Sequence, residues 1–176
     1  MQRHGKILNR TLRDGNEIIC RGNKGFIVLR DRKQKVVGRA IIDRSLVARV
    51  KNIKWSLGNC GYAITGHLRN GSRLLHRFLF GKKGYEIDHI NRNRLDNRKV
   101  NIRHCSRSQN MFNKTKQNNN STGVLGVYFD KSRGKYAAEI KAYGVKKFLG
   151  RFNTLKEAKE KRIAAEREYF GKWKYQ

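Results

Sequence analysis

Apolar residues in the first third of this chain come in short runs, not at sustained helical spacing. Glu17–Cys20, Gly25–Leu29 and Lys35–Ile42 are rich in Val and Ile and are separated by Gly, Asn and charged residues, which predicts strands. Arg44–Val50 puts Leu46, Val47 and Val50 on one face, predicting one or two helical turns with Asp43 as N-cap. Trp55 and Cys60–Thr65 predict a hairpin across Gly58-Asn59, and Asn70-Gly71 has the residues of a second tight turn. Leu74–Phe80 is an apolar run closed by Gly81, and at that length strand and helix look alike.

After Gly84 the pattern sharpens. Tyr85–Ile90 predicts a short strand, Asn91–Lys99 a polar loop and Val100–Cys105 a second strand. Ser106 or Ser108 can cap a helix running to about Lys114. Lys114–Thr122 contains no apolar residue, which predicts a linker between two domains, residues 1–113 and 123–176. Beyond it Gly126–Phe129, Lys135–Ala142 and Lys146–Phe152 predict three strands, turning at Ser132-Arg133-Gly134 and Tyr143-Gly144. In the middle strand Tyr136, Ala138, Ile140 and Ala142 alternate with Lys135, Ala137, Glu139 and Lys141, so one face should be apolar and the other open. Thr154-Leu155-Lys156-Glu157 is a capping box opening a helix with Leu155, Ala158, Ile163, Ala164, Ala165 and Tyr169-Phe170 turned to the sheet, and Gly171 ends it. The expected fold class is α+β.

Charge changes the picture most. With 42 Lys and Arg against 13 Asp and Glu in 176 residues, the net charge is +29. An excess of that size favours a nucleic acid over an ordinary solvated surface, with an acidic membrane surface the weaker partner. Both sides of the polar tract are basic, 26 basic to 7 acidic residues up to Asn113 and 14 to 6 from Gly123 onward, so both halves should touch the polyanion. No apolar stretch approaches the ~18 residues of a membrane span, and the N-terminus has no apolar core of a signal peptide. Cys20, Cys60 and Cys105 are isolated, which supports neither a disulfide framework nor a Cys-x-x-Cys zinc site; a reducing cytoplasm fits.

The segment after Gly84 carries residues suited to a phosphodiester. Asp88 is a hard oxygen ligand for magnesium or manganese. His89, next to it on a strand, points to the opposite side and is left as a general base, with an unperturbed pKa near ~6.5. Asn110 follows Asp88 by 22 positions, on the next helix, and a hairpin folded onto that helix can bring the two together around one ion. Asn101 stands where the loop ends, and its amide can bond loop backbone and hold the His89 strand. Arg92, Arg94, Arg98, Lys99, Arg103 and Arg107 crowd the segment and suit phosphate contacts.

Asp88-His89, Asn101 and Asn110 resemble the ββα-metal motif of HNH endonucleases, in surroundings similar to the phage and intron-encoded homing branch. Those surroundings are Leu75-His76-Arg77, Glu86–Asn91, Leu95–Arg98, Asn101-Ile102-Arg103 and Ser108-Gln109-Asn110. The resemblance implies His89 as base, Asp88 and Asn110 as metal holders and Asn101 as the structural asparagine, with His76, Arg77 and Arg103 candidates for a phosphate contact or for supporting the site. It implies a divalent metal, Mg or Mn, and no zinc.

The C-terminal part resembles the ERF-type (Apetala-type) DNA-binding domain through Gly123–Val127, Gly134–Ala138, Phe148–Thr154, Glu157-Ala158 and Tyr169–Gly171. That resemblance implies a sheet lying in the major groove of double-stranded DNA, with Arg133, Lys135, Lys141 and Lys146 facing it and Glu139 a candidate base contact. Together these readings describe a cytoplasmic, metal-dependent homing-type endonuclease in a bacterial or phage-infected cell. It would nick one strand per site, and a monomer suffices. The rivals are a DNA-binding protein with an inactive HNH site and an RNA-binding accessory protein.

Overall fold

The Val- and Ile-rich runs become an antiparallel sheet in the structure, a computed structural model that describes residues 15–66, 74–113 and 120–174. The basic arm Met1–Asp14, the turn at Asn70-Gly71 and the Lys114–Asn119 part of the polar tract lie outside the described residues. The chain is mixed α and β, with several small antiparallel sheets and few helices. It divides into two units. One takes the chain up to Lys83 together with Asn93–Arg103; the other takes Gly84–Arg92 and everything from His104 on.

In the first unit β1 (Ile18–Arg21), β2 (Lys24–Arg30) and β3 (Val36–Asp43) form a three-stranded meander. Period-2 alternation buries Ile27 and Leu29 of β2 and Ala40 and Ile42 of β3, with Ile27 opposite Ala40. A 3-10 turn, Arg44–Leu46, runs into α1 (Val47–Val50). Asp43 sits at the N-cap position but makes no capping bond. Its carboxylate accepts the Lys99 backbone N–H instead, at 2.7 Å. The strap Leu95–Asn97 lies along β3, with Ile41 N–H donating to Leu95 O and Asn97 N–H to Ile41 O, both at 2.7 Å. The expected polar loop is therefore an ordered segment that uses β3's free edge.

Trp55 is fully buried at the centre of this unit, and Asn16 brackets its backbone: Trp55 N–H donates to Asn16 Oδ1 (2.6 Å), and Asn16 Nδ2 donates to Trp55 O and Val28 O (2.8 Å each). β4 (Ser56–Leu57) pairs with β5 (Ala63–Ile64). The ambiguous run is a helix, α2 (Leu75–Phe80), because Leu75 and Leu79, one turn apart, both enter the core, with Phe78 against Trp55.

β6 (Glu86–His89) lies in the second unit and makes a two-stranded sheet with β7 (Ile102–Cys105), which ends there. α3 (Arg107–Phe112) is capped by Ser106, not Ser108, in a capping box with Gln109. Asn113 takes the C-cap, so the helix stops short of Lys114. β8 (Val127–Asp130), β9 (Lys135–Ala142) and β10 (Val145–Phe152) form an antiparallel sheet with β9 central, and α4 (Leu155–Phe170) packs on β9 and β10. Thr154 and Glu157 complete the capping box of α4.

Two details of this unit differ from the pattern reading. Ile163 is 41% exposed and Ala164 faces solvent, whereas Ala158, Arg162 and Ala165 are buried. Spacing of 3.6 residues carries the buried stripe from Ala158 to Arg162 to Ala165, so a cation occupies a position that composition alone would give to Ile163. Asn120 and Thr122, at the end of the polar tract, are folded: Thr122 Oγ1 donates to Val127 O (2.8 Å), and Asn120 Oδ1 accepts the Gly123 N–H (2.7 Å). Phe112 of α3 joins the core of the C-terminal sheet, stacked on Phe170 at 4.2 Å and edge-on to Tyr143 at 5.1 Å. No helix among the described residues is long and apolar enough to cross a membrane.

Candidate active site

Strand and helix periodicity together build the site. On β6, Glu86 and Asp88 are two apart and share a face; on α3, Asn110 and Asn113 are three apart and share a face. α3 packs against β6, and the two pairs meet. Asn110 Nδ2 donates to Glu86 Oε2 at 2.5 Å. Asn113 Nδ2 donates to both Asp88 oxygens, at 2.9 and 3.1 Å, and lies 3.0 Å from His89 O and 3.3 Å from Ile90 O. Arg92 Nε donates to Asn113 Oδ1 at 3.2 Å, which fixes which end of that amide faces Asp88.

The neighbourhood is closed. Asp88 is 6% exposed, His89 5% and Asn113 5%. A carboxylate held so far from water needs partners for its lone pairs, and Asn113 supplies the donor. The Arg92 N–H also donates to His89 O (2.9 Å), tightening the turn that follows the strand. Cys105 Sγ bonds Glu86 O at 3.8 Å and is buried.

Asp88, His89 and Asn110 are thus together in the second unit. No hydrogen bond joins Asn110 to Asp88; the helix partner of Asp88 is Asn113, and that of Asn110 is Glu86. Asn101 belongs to the first unit, where it is 5% exposed and its Nδ2 donates to Asp96 O at 2.7 Å. Asp96 is itself clamped by Arg98 Nε and Nη2, at 2.7 and 2.6 Å; this pairing, above all the hydrogen bond, raises the Arg98 pKa. Also in the first unit, His76 is 5% exposed and lies against Tyr62, ring centroids 5.0 Å apart. Arg94 covers the Tyr62 ring at 4.9 Å and donates to Cys60 O at 2.6 Å. Arg77 is exposed on α2 and Arg103 half-buried on β7.

Among the described residues no group of three or more His, Cys, Asp or Glu is gathered as a metal cluster. The donor set at β6 and α3 still suits a hard cation. Asp88 brings a buried carboxylate, whose oxygens are hard donors. With its Nδ2 committed to Glu86, Asn110 has an amide oxygen that accepts no hydrogen bond among the described residues. One carboxylate and one carbonyl oxygen are a typical protein share for magnesium, which keeps several waters and takes substrate phosphate oxygens as well.

Glu86 and Asn113 are the residues the sequence reading missed. The signal for both was present: two positions before Asp88 on a strand, and one turn after Asn110 on a helix.

The C-terminal residues read as DNA contacts lie on or beside β9. Lys135, Glu139 and Lys141 share its outer face, and Lys146 sits opposite Lys141 in the register. Lys146 Nζ pairs with Glu139 Oε2 at 2.7 Å, and this hydrogen bond raises the lysine pKa. Arg133 projects from the turn, 4.0 Å from Asp130. Asp130 is anchored by the Ser132 hydroxyl (2.6 Å) and Arg151 (3.0 Å), which lower its pKa in that order. Ala137, on the same outer face, is fully buried rather than open; it lies between Tyr128 and Arg151, whose larger side chains flank it.

Comparison with known proteins points to the same segment of the chain. Residues 73–112, spanning α2, β6, β7 and α3, match the family model of HNH endonucleases. The chain is also 31% identical over 131 residues to an uncharacterized HNH endonuclease of Acanthamoeba polyphaga mimivirus; the alignment covers 70% of this chain and 66% of that protein. This chain therefore spans just under two thirds of that relative's length. No solved structure matches. Both findings support a nuclease.

Proposed function

We propose that the chain is a metal-dependent HNH endonuclease that hydrolyses phosphodiester bonds of double-stranded DNA, of the homing type and nicking one strand per site. The observation that carries this reading is the buried Asp88-His89 pair on β6, held by Asn113 at the end of α3, with the pair inside the segment that matches the HNH endonuclease family.

Asp88 and Asn110, through its amide oxygen, would hold a magnesium or manganese ion. When bound, that ion supplies charge stabilisation at the phosphate and the departing 3′-oxygen. His89 takes the proton of the attacking water as general base, its side chain on the face of β6 opposite to Asp88. Asn113 keeps the Asp88 carboxylate in one orientation by donating to both of its oxygens. Asn101 anchors the chain ahead of β7 through Asp96. His76, Arg77 and Arg103 contact phosphate or support the site.

We further infer a nuclease portion up to Asn113 and an ERF-type portion from Gly123 that lays Arg133, Lys135, Lys141 and Lys146 on DNA, with Glu139 a candidate base contact. The net charge of +29 supports a polyanion partner, met in the cytoplasm of a bacterial or infected host cell. Incubating the full chain with supercoiled plasmid, with and without magnesium or manganese, tests the proposal. Relaxed circles with discrete nicked ends are expected only with metal. Plasmid that stays supercoiled with either ion would refute it.

A further inference from the structure

α3 is two-faced. Asn110 and Asn113 turn to β6, while Ser108, Met111 and Phe112 look the other way and, with Arg107 of the first turn, border a cavity of about 450 Å³ within the second unit. Its walls are aromatic and apolar: Phe112, Phe170, Met111 and Tyr143, the last 61% exposed at the mouth. Arg107, Lys141 and Lys174 stand on its lining together with one carboxylate, Glu139, which is paired with Lys146. The volume suits a small organic ligand.

The cavity also borders Arg162 of α4, which is only 4% exposed. Nε and Nη1 of its guanidinium are buried without a hydrogen bond. Nη1 lies 2.9 Å from Glu166 Oε1, close enough for attraction but not directed as a hydrogen bond, and that same oxygen is shared with Lys174 at 3.1 Å. Nη2 makes no hydrogen bond either among the described residues. Burial lowers the pKa of this arginine, and its flat group sits 5.5 Å over the Phe170 ring. Gly126 makes room for it: at φ +73°, an added Cβ would press on the Glu139 carbonyl and come within 3.0 Å of Arg162 Nε. A buried cation with unused donors is costly for folding alone. Its donors, the aromatic walls and the cations around them share one complement: a flat ring with acceptor atoms on its edge and phosphate attached.

We propose that this cavity binds one unpaired nucleotide of the substrate strand. The base lies against Tyr143 and the Phe112–Phe170 stack, its acceptor edge meets Arg162, and the adjoining phosphates meet Arg107, Lys141 and Lys174. The proposal rests on the nuclease reading and deepens it. The cavity and the Asp88 site border different sides of α3, a helix whose diameter with side chains is roughly 10 Å. The captured nucleotide would position the strand near the scissile phosphate.

The test uses the full chain in EDTA and a labelled oligonucleotide in fluorescence anisotropy, as a single strand and as a duplex of the same sequence. Tyr143→Ala removes an exposed stacking wall, and Arg162→Met removes the donors while filling the volume. Each should weaken single-strand binding roughly tenfold and duplex binding less than twofold. An arginine kept for a ligand should give a melting temperature that Arg162→Met does not lower; a lowered one, with single-strand affinity intact, assigns the residue to the fold and overturns the proposal. Equal losses on both DNA forms, or none, overturn it too. Free deoxynucleoside monophosphates serve as competitors. Displacement of the strand only at millimolar levels is expected, and tight saturation by the free nucleotide would replace the strand as occupant. A chain that binds neither DNA form would sink the nuclease reading itself, an outcome distinct from all of these.

Discussion

β6 and β9 both present acidic and basic side chains from one unit, and they use them in opposite ways. On β6, Glu86 and Asp88 are locked against asparagines of α3, and Asp88 and His89 are almost wholly buried. On the outer face of β9, Lys135 and Lys141 reach toward solvent, and the half-buried Glu139 pairs with a Lys146 that stays 62% exposed. Chemistry at a phosphorus atom needs a carboxylate and a base fixed to a fraction of an ångström. Attraction to a phosphate backbone needs charge in roughly the right place, and flexible lysines provide it. The same contrast predicts how substitutions should behave: those on β6 and α3 should change rate, and those on β9 should change affinity and its salt dependence.

The sharpest break should come from His89→Ala, with a loss of roughly two to four orders of magnitude in nicking and DNA binding nearly intact. Plasmid nicking and anisotropy read the two effects apart, and wild-type nicking by this variant would remove His89 from the chemistry. Asp88→Ala and Asn110→Ala should each reduce activity and the apparent affinity for the ion. Because they would share it, the double variant should lose less than the sum of the singles. Unchanged magnesium and manganese binding by calorimetry in both would take them out of the metal shell.

Asn113→Ala should cost stability and rate together, since it removes the amide that donates to both oxygens of the buried Asp88 carboxylate; roughly 1–3 kcal/mol of unfolding free energy is expected. Denaturant melts check the first effect. A fully active, equally stable Asn113→Ala protein would make the residue a simple helix cap. On the other side of the comparison, Lys135→Ala and Lys141→Ala should leave the rate at saturating DNA alone. Each should lower the slope of log affinity against log salt by about 0.9. An unchanged slope would mean that the sheet does not meet phosphate. These substitutions probe the face more cleanly than deleting the C-terminal half, which would strip Phe112 of its partners Ile140 and Phe170.

The smallest effect concerns pH. The Asp130 pKa is lowered from its ordinary 3.8 by Ser132 and Arg151. Its contribution to stability is complete above that value and is lost as pH falls through the lower folded one. Asp130→Asn should therefore lower stability slightly at neutral pH, with the difference from the unsubstituted protein shrinking as pH falls below 4.

Local patterns carried much of the architecture. Val- and Ile-rich runs placed β2 and β3, alternation placed β9, the Thr154-x-x-Glu157 spacing opened α4, and an Asp-His pair followed by spaced asparagines marked the site segment. Local information failed where a partner from far along the chain decided the outcome. Asp43 looked like a cap because capping is a short-range pattern; the Lys99 N–H, 56 residues away, takes its carboxylate. Leu74–Phe80 became a helix because the core received Leu75 and Leu79 one turn apart.

What the sequence determined by itself was the chemistry on offer: hard oxygen donors, a histidine beside one of them, and an excess of cations able to hold a polyanion. These are properties of residue type and short spacing, and no fold is needed to read them. Only the tertiary structure decided the pairings. It gave Asp88 to Asn113 and Asn110 to Glu86, moved the buried stripe of α4 from Ile163 to Arg162, and placed Phe112 in the C-terminal core. Spacing along the chain fixes which face of an element a side chain occupies. Which neighbour that face meets depends on how whole elements pack, and the packing is a sum over residues distant in sequence that no local window contains.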